Sequence, residues 1–188
     1  MVSFATSSRT DIELTLLDSL DNKTLIRGKI DGISTIGWTA IGDGLADANN
    51  MLIGGRTDAR RITILLTDGK CNSGADQSCS NAIAIAIANH IMIYTIGLGS
   101  NIDEPLLQRV ASETGGKYYN APSSSELQGI YQTIAQEISD YDITEIVYGN
   151  EGFTPYDYAR QSSVNLPTVY EDAFRINETI DDLKVLLE

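Results

Sequence analysis

Hydrophobic and polar positions along residues 1–139 switch between two periods. Val2-Ser3-Phe4-Ala5 reads as a short strand. Asp11-Ile12-Glu13-Leu14-Thr15-Leu16 alternates polar with apolar, which predicts a strand with one wet face at a sheet edge. Ile26, Ile30 and Ile33 put one stripe on a helix over 23–33. Ile41, Leu45, Ala48 and Leu52 stand at i, i+4, i+7 and i+11, an amphipathic helix ended by Gly54-Gly55. Arg61–Leu66 and Ile91–Ile96 are short apolar runs of the kind found in parallel strands covered on both faces. Between them, Ala82–Ala88 alternates Ala and Ile, a local strand pattern. Alanine's helix preference and the need for a crossover between parallel strands assign it to helix instead.

The next elements carry clearer punctuation. Asp103 can cap a helix with Pro105 in its first turn, and Leu106, Leu107, Val110 and Ala111 form its inner face before Gly115-Gly116. Lys117-Tyr118-Tyr119 reads as a short outer strand. Ser123-Ser124-Ser125-Glu126 is a capping box ahead of a stripe of Leu127, Ile130, Tyr131, Ile134 and Ile138. This alternation predicts an α/β fold: a mainly parallel, Rossmann-like sheet with helices on both faces. After residue 140 the character changes. Ile143–Tyr148 is strand-like, and 162–187 lacks sustained periodicity until Leu183–Leu187. The pattern thus divides into an α/β domain over 1–139 and an acidic, tyrosine-rich, β-containing extension, or part of a second domain, over 140–188.

Charge sharpens that boundary. The 188 residues carry a net −13. Residues 1–139 hold 10 basic and 15 acidic groups, residues 140–188 only 3 and 11. The acidic balance speaks against nucleic acid and anionic membrane surfaces, both of which need Lys and Arg. The opening Met1-Val2-Ser3-Phe4 has neither the basic region nor the cleavage site of a signal peptide. Ala82–Gly99 is uncharged over 18 residues, about the minimum for a membrane span. Asn89-His90 interrupts it, so a buried helix, a turn and a buried strand are expected, without membrane insertion.

Candidate chemistry is sparse. Cys71 and Cys79 bracket a polar loop, a spacing that suits an extracellular disulfide, the alternative being two free buried thiols; with the single His90 far off, they cannot make a four-ligand zinc site. Ser-His-Asp and Cys-His sets would have to use His90. Gly97-Leu98-Gly99-Ser100 lacks the rest of a dinucleotide fingerprint, and no P-loop lysine motif is present. An enzyme is not expected. In open α/β sheets, ligands bind beyond the carboxyl ends of the strands. Thr67-Asp68-Gly69 stands there, and Gly37-Trp38-Thr39 precedes the helix that starts at Ile41. Read by themselves, Thr39 is a helix cap and Asp68 a turn residue.

Val2–Thr6, Gly37–Leu45, Leu65-Leu66-Thr67-Asp68-Gly69 and Ile93–Gly99, in this order, resemble the von Willebrand factor type A domain over residues 1–139. The resemblance implies a divalent cation, usually magnesium, at the sheet top, held by an Asp-x-Ser-x-Ser loop, a Thr and an Asp. Thr39 matches the Thr and Asp68 the Asp, and hydroxyl and carboxylate oxygens suit a hard cation. An Asp-x-Ser-x-Ser loop belongs after the family's first strand, and no such segment stands ahead of Thr39, so a strand and its helix, about 30 residues, are missing from the pattern. At most a weak Mg2+ site is expected, with Asp43 as the candidate further oxygen ligand.

The implied function is a non-catalytic protein-binding module for adhesion or assembly, with a degenerate metal-ion-dependent adhesion site. The alternative is a structural fragment of a larger surface protein, or a subunit completed by a partner's strand. The implied location is extracellular or at the cell surface as part of a longer protein; intracellular members make the cytoplasm the alternative. An empty slot between Val2–Ala5 and Arg61–Leu66 would leave edges open to self-association.

Overall fold

A computed structural model describes residues 1–33 and 37–149 of the chain. Two compact units emerge, Met1–Tyr131 and Gln132–Glu188, and the first contains all the strands among the described residues.

Val2–Phe4 (β1) and Ser8–Thr10 (β2) form an antiparallel hairpin, Val2 opposite Thr10 and Phe4 opposite Ser8. Among the described residues no ladder joins this hairpin to the main parallel sheet. One expectation is corrected here. The alternating stretch Asp11–Leu16 is not a strand: the Asp11 N–H donates to the Met1 carbonyl, and its carboxylate pairs with Arg9 at 2.5 Å. Alternation produces a strand only where a neighbour can receive the ladder. Among the described residues none pairs with this stretch, and Leu14 and Leu16 remain 53% and 64% exposed.

Helix α1 spans Leu20–Asp31, its first turn closed by the Asn22 N–H donating to Ser19 Oγ at 3.2 Å. It buries none of its residues, so the stripe of Ile26 and Ile30 faces no core, and Ile33 lies beyond the helix end. Helix α2, Ile41–Ile53, is the predicted amphipathic helix ended by Gly54. Ile41 and Leu45 are fully buried, as is Asn49, whose side-chain amide donates to the Ala82 carbonyl at 2.8 Å.

The main sheet comprises β3 (Arg61–Thr67), β4 (Ile91–Leu98) and β5 (Tyr118–Ala121), parallel and in that spatial order, with α3 (Ser80–Ala88) and α4 (Glu104–Glu113) as crossovers. Arg61 lies beside Ile91 and Thr67 beside Gly97, so the carboxyl ends of β3 and β4 are level. Leu65, Ile91 and Ile93 face one core cluster with Ile41 and Leu45 of α2, Ala82, Ile83 and Ala86 of α3, and Leu107 and Val110 of α4. On the opposite face Tyr94 and Ile96 are buried as well, and each fully buried Ile or Leu contributes about 1.5–3 kcal/mol. The buried Thr95 hydroxyl donates to the Leu107 carbonyl at 2.9 Å, tying strand to helix.

The helix expected at Ala82–Ala88 forms, burying Ala82, Ile83 and Ala86 and leaving Ile85 and Ile87 outward. Asp103 caps α4 by accepting the Leu106 N–H at 3.3 Å. Helix α5, Leu127–Gly149, runs through the stretch Ile143–Tyr148 that was expected as strand. An existing helix lengthens with one new hydrogen bond per residue fixed, and β-propensity without a pairing strand does not outweigh that. Leu183–Leu187 and the rest of the expected β-rich extension lie outside the described residues. No helix among those described is long and apolar enough to cross a membrane.

Candidate functional site

The carboxyl end of β3 opens into a loop that gathers three other segments. Just past the strand, the Gly69 N–H donates to the Thr67 hydroxyl at 3.3 Å, tightening the turn that presents Asp68. Asp68 itself is exposed. Across from it, the Thr39 hydroxyl lies so close to Gly69 that a Cβ on Gly69 would sit 2.8 Å from Oγ1. A residue with any side chain at position 69 would push the hydroxyl away. Thr39 and Asp68, distant in sequence, are thereby brought to one rim.

Thr39 is held by the loop. Its N–H donates to Asn72 Oδ1 at 2.8 Å, and the Asn72 N–H donates to the Thr39 carbonyl at 3.1 Å. It is not the helix cap that its position suggests: Ala40 occupies that place, and no side-chain cap bond closes α2. The hydroxyl is therefore not consumed by capping. The end of β1 joins the same rim. Ala40 N–H donates to the Ala5 carbonyl at 2.8 Å, Trp38 N–H to Thr6 Oγ1 at 3.2 Å, and Ser73 Oγ to the Thr6 carbonyl at 2.9 Å.

Asp43 turns elsewhere. Its Oδ1 accepts the Ala75 N–H at 3.1 Å, and both carboxylate oxygens lie 2.7 Å from where a Cβ on Gly74 would stand. Gly74 has φ +87°, a left-handed conformation that disfavours other residues. Asp43 thus anchors the loop, while Thr39 lies against Gly69, the residue that follows Asp68.

Two features escaped the pattern of the sequence. Asp76 accepts N–H bonds from Ser80 at 3.1 Å, Asn81 at 2.8 Å and Ala82 at 3.1 Å, capping α3 from four residues upstream of its start. Capping rules look one residue before a helix; here Cys79 takes that place in a left-handed conformation, φ 56°, and folds the loop back so that Asp76 reaches the orphan amides. Trp38, 63% exposed beside Thr39, is the other; a large aromatic on a rim loop was the available signal.

Cys71 and Cys79 are free thiols here, Cys79 in the core cluster and Cys71 packed against it. Burial, followed by the nearness of Cys71 and Asp76, pushes the fully buried Cys79 thiol up to about 12. Arg109 of α4 donates to the Ser78 carbonyl at 3.1 Å and to Ser80 Oγ at 2.8 Å, bracing the far end of the loop.

Among the described residues no group of three or more His, Cys, Asp or Glu side chains could hold a metal. Thr39 and Asp68 supply one hydroxyl and one exposed carboxylate, oxygen donors of the kind that suits a hard cation. His90 stands at the start of β4, the opposite end of the sheet, in a left-handed turn with φ 53°.

Residues 1–133 match the model of the family described as von Willebrand factor type A domain. Inter-alpha-trypsin inhibitor heavy chain H3 of Mesocricetus auratus is 30% identical over 125 residues, covering 58% of this chain and 14% of that protein. Heavy chain H4 of Homo sapiens is 26% identical, covering 64% and 14%. This chain therefore spans a small part of the length of these curated relatives. A von Willebrand factor type A protein from Catenulispora acidiphila shares the fold with a TM-score of 0.64 at 21% identity, over 70% of this chain and 31% of that one. Proximal thread matrix protein 1 from the mussel byssus, in a structure with a zinc-occupied MIDAS motif, gives 0.58 at 29% identity, over 71% and 32%.

Proposed function

The chain belongs to the von Willebrand factor type A family, whose domains commonly serve protein interaction, and from that premise we propose that its α/β domain, residues 1–139, is a non-catalytic binding module that engages a protein ligand through the rim of Thr39 and Asp68. The observation that carries this reading is the seat of the Thr39 hydroxyl against Gly69, beside the exposed Asp68. Thr39 and Asp68 would hold a divalent cation, magnesium first, as a degenerate metal-ion-dependent adhesion site. The cation would supply a Lewis-acidic contact for a carboxylate of the ligand, and Trp38 an aromatic anchor next to it. With one carboxylate and one hydroxyl from the chain, binding is weak. A Cys71–Cys79 disulfide and an extracellular setting, within a longer protein, belong to the same reading.

An NMR titration with Mg2+, followed by Mn2+ as a paramagnetic reporter, tests it. Weak, saturable shifts and broadening are expected at Thr39 and Gly69, lost in Asp68→Asn. Unchanged binding in Asp68→Asn would sink the proposal. A sub-micromolar site would mean that further oxygens join the pair.

A second reading is favoured by the edge of β3. Arg61–Thr67 has the apolar composition of a central strand, yet among the described residues it pairs only with β4, and β1 only with β2. A strand supplied by another chain would complete this edge, making the chain a subunit of an assembly. Light scattering after size exclusion separates the cases: association is expected on this reading, and a sharp monomer with a high cooperative melting temperature would remove it.

A further inference from the structure

The loop after β3 does most of the joining at the rim, and every bond it makes there is exposed or only partly buried. Asn72 holds Thr39, Ser73 holds Thr6, Ala75 holds Asp43, and Asp76 holds the first turn of α3. Each such bond competes with water and contributes little by itself. Cys71 lies just before this series and Cys79 just after it. Cys79 belongs to the core cluster and Cys71 packs against it, so both sulfurs are directed inward under the loop. The Cys71 thiol lies 3.9 Å from the Ser73 carbonyl and stands near the Cys79 thiol. The four joining residues are thus enclosed between two neighbouring sulfurs.

We propose that Cys71 and Cys79 form a redox clamp on the rim: bonded, they fix the loop that holds Thr39 and Asp43, and as thiols they leave that hold to exposed hydrogen bonds. The clamp deepens the reading of Thr39 and Asp68 as a ligand-facing rim, on which it rests, by giving that rim a control.

The oxidant is a small-molecule disulfide of the glutathione class. Cys71, half-buried, gives its thiol proton to water and attacks one sulfur of that disulfide; one glutathione thiolate leaves and is protonated. The Cys79 thiol then gives up its proton and attacks the Cys71 sulfur. The second glutathione thiolate leaves and is protonated in turn. Two protein thiols become one disulfide, one small-molecule disulfide becomes two thiols, and two electrons and two protons are transferred in balance. Cys79 is fully buried, so entry is through Cys71. In the reverse direction a thiol pushed up to about 12 is a slow leaving group, and the buried sulfur is shielded from attack, so the closed clamp resists reduction.

The full chain, without added metal, serves for the test, reduced with dithiothreitol or oxidised with glutathione disulfide. Intact mass should fall by two hydrogens on oxidation. Amide hydrogen exchange at Thr39, Asn72 and Ala75 is then compared with Thr95 and Ile96 in β4. Reduction is expected to speed exchange at the first three at least tenfold and leave the β4 amides unchanged. Cys71→Ser, which spares the buried Cys79, should show the reduced pattern in either buffer. Failure to lose two hydrogens, or equal Thr39 exchange in both redox states, overturns the clamp. Because no cation is present, these rates are independent of the Mg2+ titration, whose failure would count against the rim reading alone.

Discussion

Asn72 grips Thr39 on both sides of its backbone, accepting the Thr39 N–H on its side-chain oxygen at 2.8 Å and donating its own N–H to the Thr39 carbonyl at 3.1 Å. The residue ahead of α2 is thus fixed to the loop beyond β3, and the Thr39 hydroxyl inherits its position from that grip. Asn72→Ala removes the first bond and keeps the second. The site is exposed, so water replaces the lost acceptor and the stability cost lies near the low end of about 0.5–1.5 kcal/mol. A small shift of the urea midpoint at constant m-value, with faster Thr39 exchange, is the expected pair of results.

Gly69→Ala places a methyl 2.8 Å from Thr39 Oγ1. A threonine hydroxyl can rotate about χ1, so the fold should survive at a cost of about 1 kcal/mol for the altered rotamer. The cation response in the Mg2+ titration should disappear. Circular dichroism unchanged from the parent, with binding lost, would confirm the separation; retained binding would show that the hydroxyl is not a ligand.

Asp76→Ala frees the three amides at the start of α3 that the carboxylate now satisfies. The expected loss is about 1–2 kcal/mol, the upper part of the range for a helix cap, read as a lowered melting temperature. Asp76→Asn keeps one acceptor oxygen and should lose less. Equal losses in both variants would place the effect in the carboxylate's charge rather than in its hydrogen bonds.

Alkali should weaken the reduced chain more than the oxidised one. The Cys79 thiol is pushed up to about 12 in the folded chain, chiefly by burial, against about 8.5 in an unfolded one. A raised folded value means the unfolded chain releases this proton first. The stability it contributes is complete below about pH 8.5 and is lost as pH rises towards about 12, by up to about 1.4 kcal/mol per unit. Urea midpoints at about pH 8 and about pH 10 should fall further apart in the reduced protein. Tyr118 and Tyr131, also raised by burial, affect both forms and cancel in the comparison.

Sequence pattern carried the parallel half of the fold because its elements are specified by burial. Arg61–Leu66 and Ile91–Ile96 had one structural use, and the crossover between them had to be a helix despite the alternation of Ala82–Ala88. Pattern failed where a partner decides the outcome. Asp11–Leu16 had the right period with no neighbouring strand, and Ile26, Ile30 and Ile33 had a stripe that no core receives. At the rim, Thr39 and Asp68 were legible as residues of the right kind in the right order. The seat of Thr39 against Gly69, and the bond of Asp43 to Ala75, depend on contacts between segments some 30 positions apart, which periodicity does not encode.

The separation of β1–β2 from β3–β5 has a mechanical consequence. Among the described residues no ladder joins the hairpin to the larger sheet; helix α2 and the bonds of Thr6 and Ala5 to Ser73, Trp38 and Ala40 do so. A load applied between Val2 and Ala121 is therefore carried through the rim before it reaches the parallel ladder. Pulling a single molecule between those points should show a small early yield, followed by the rupture of β3–β5. A ligand seated at Thr39 would lie across that first yielding joint, so tension on the chain and grip on the ligand would act on the same few bonds.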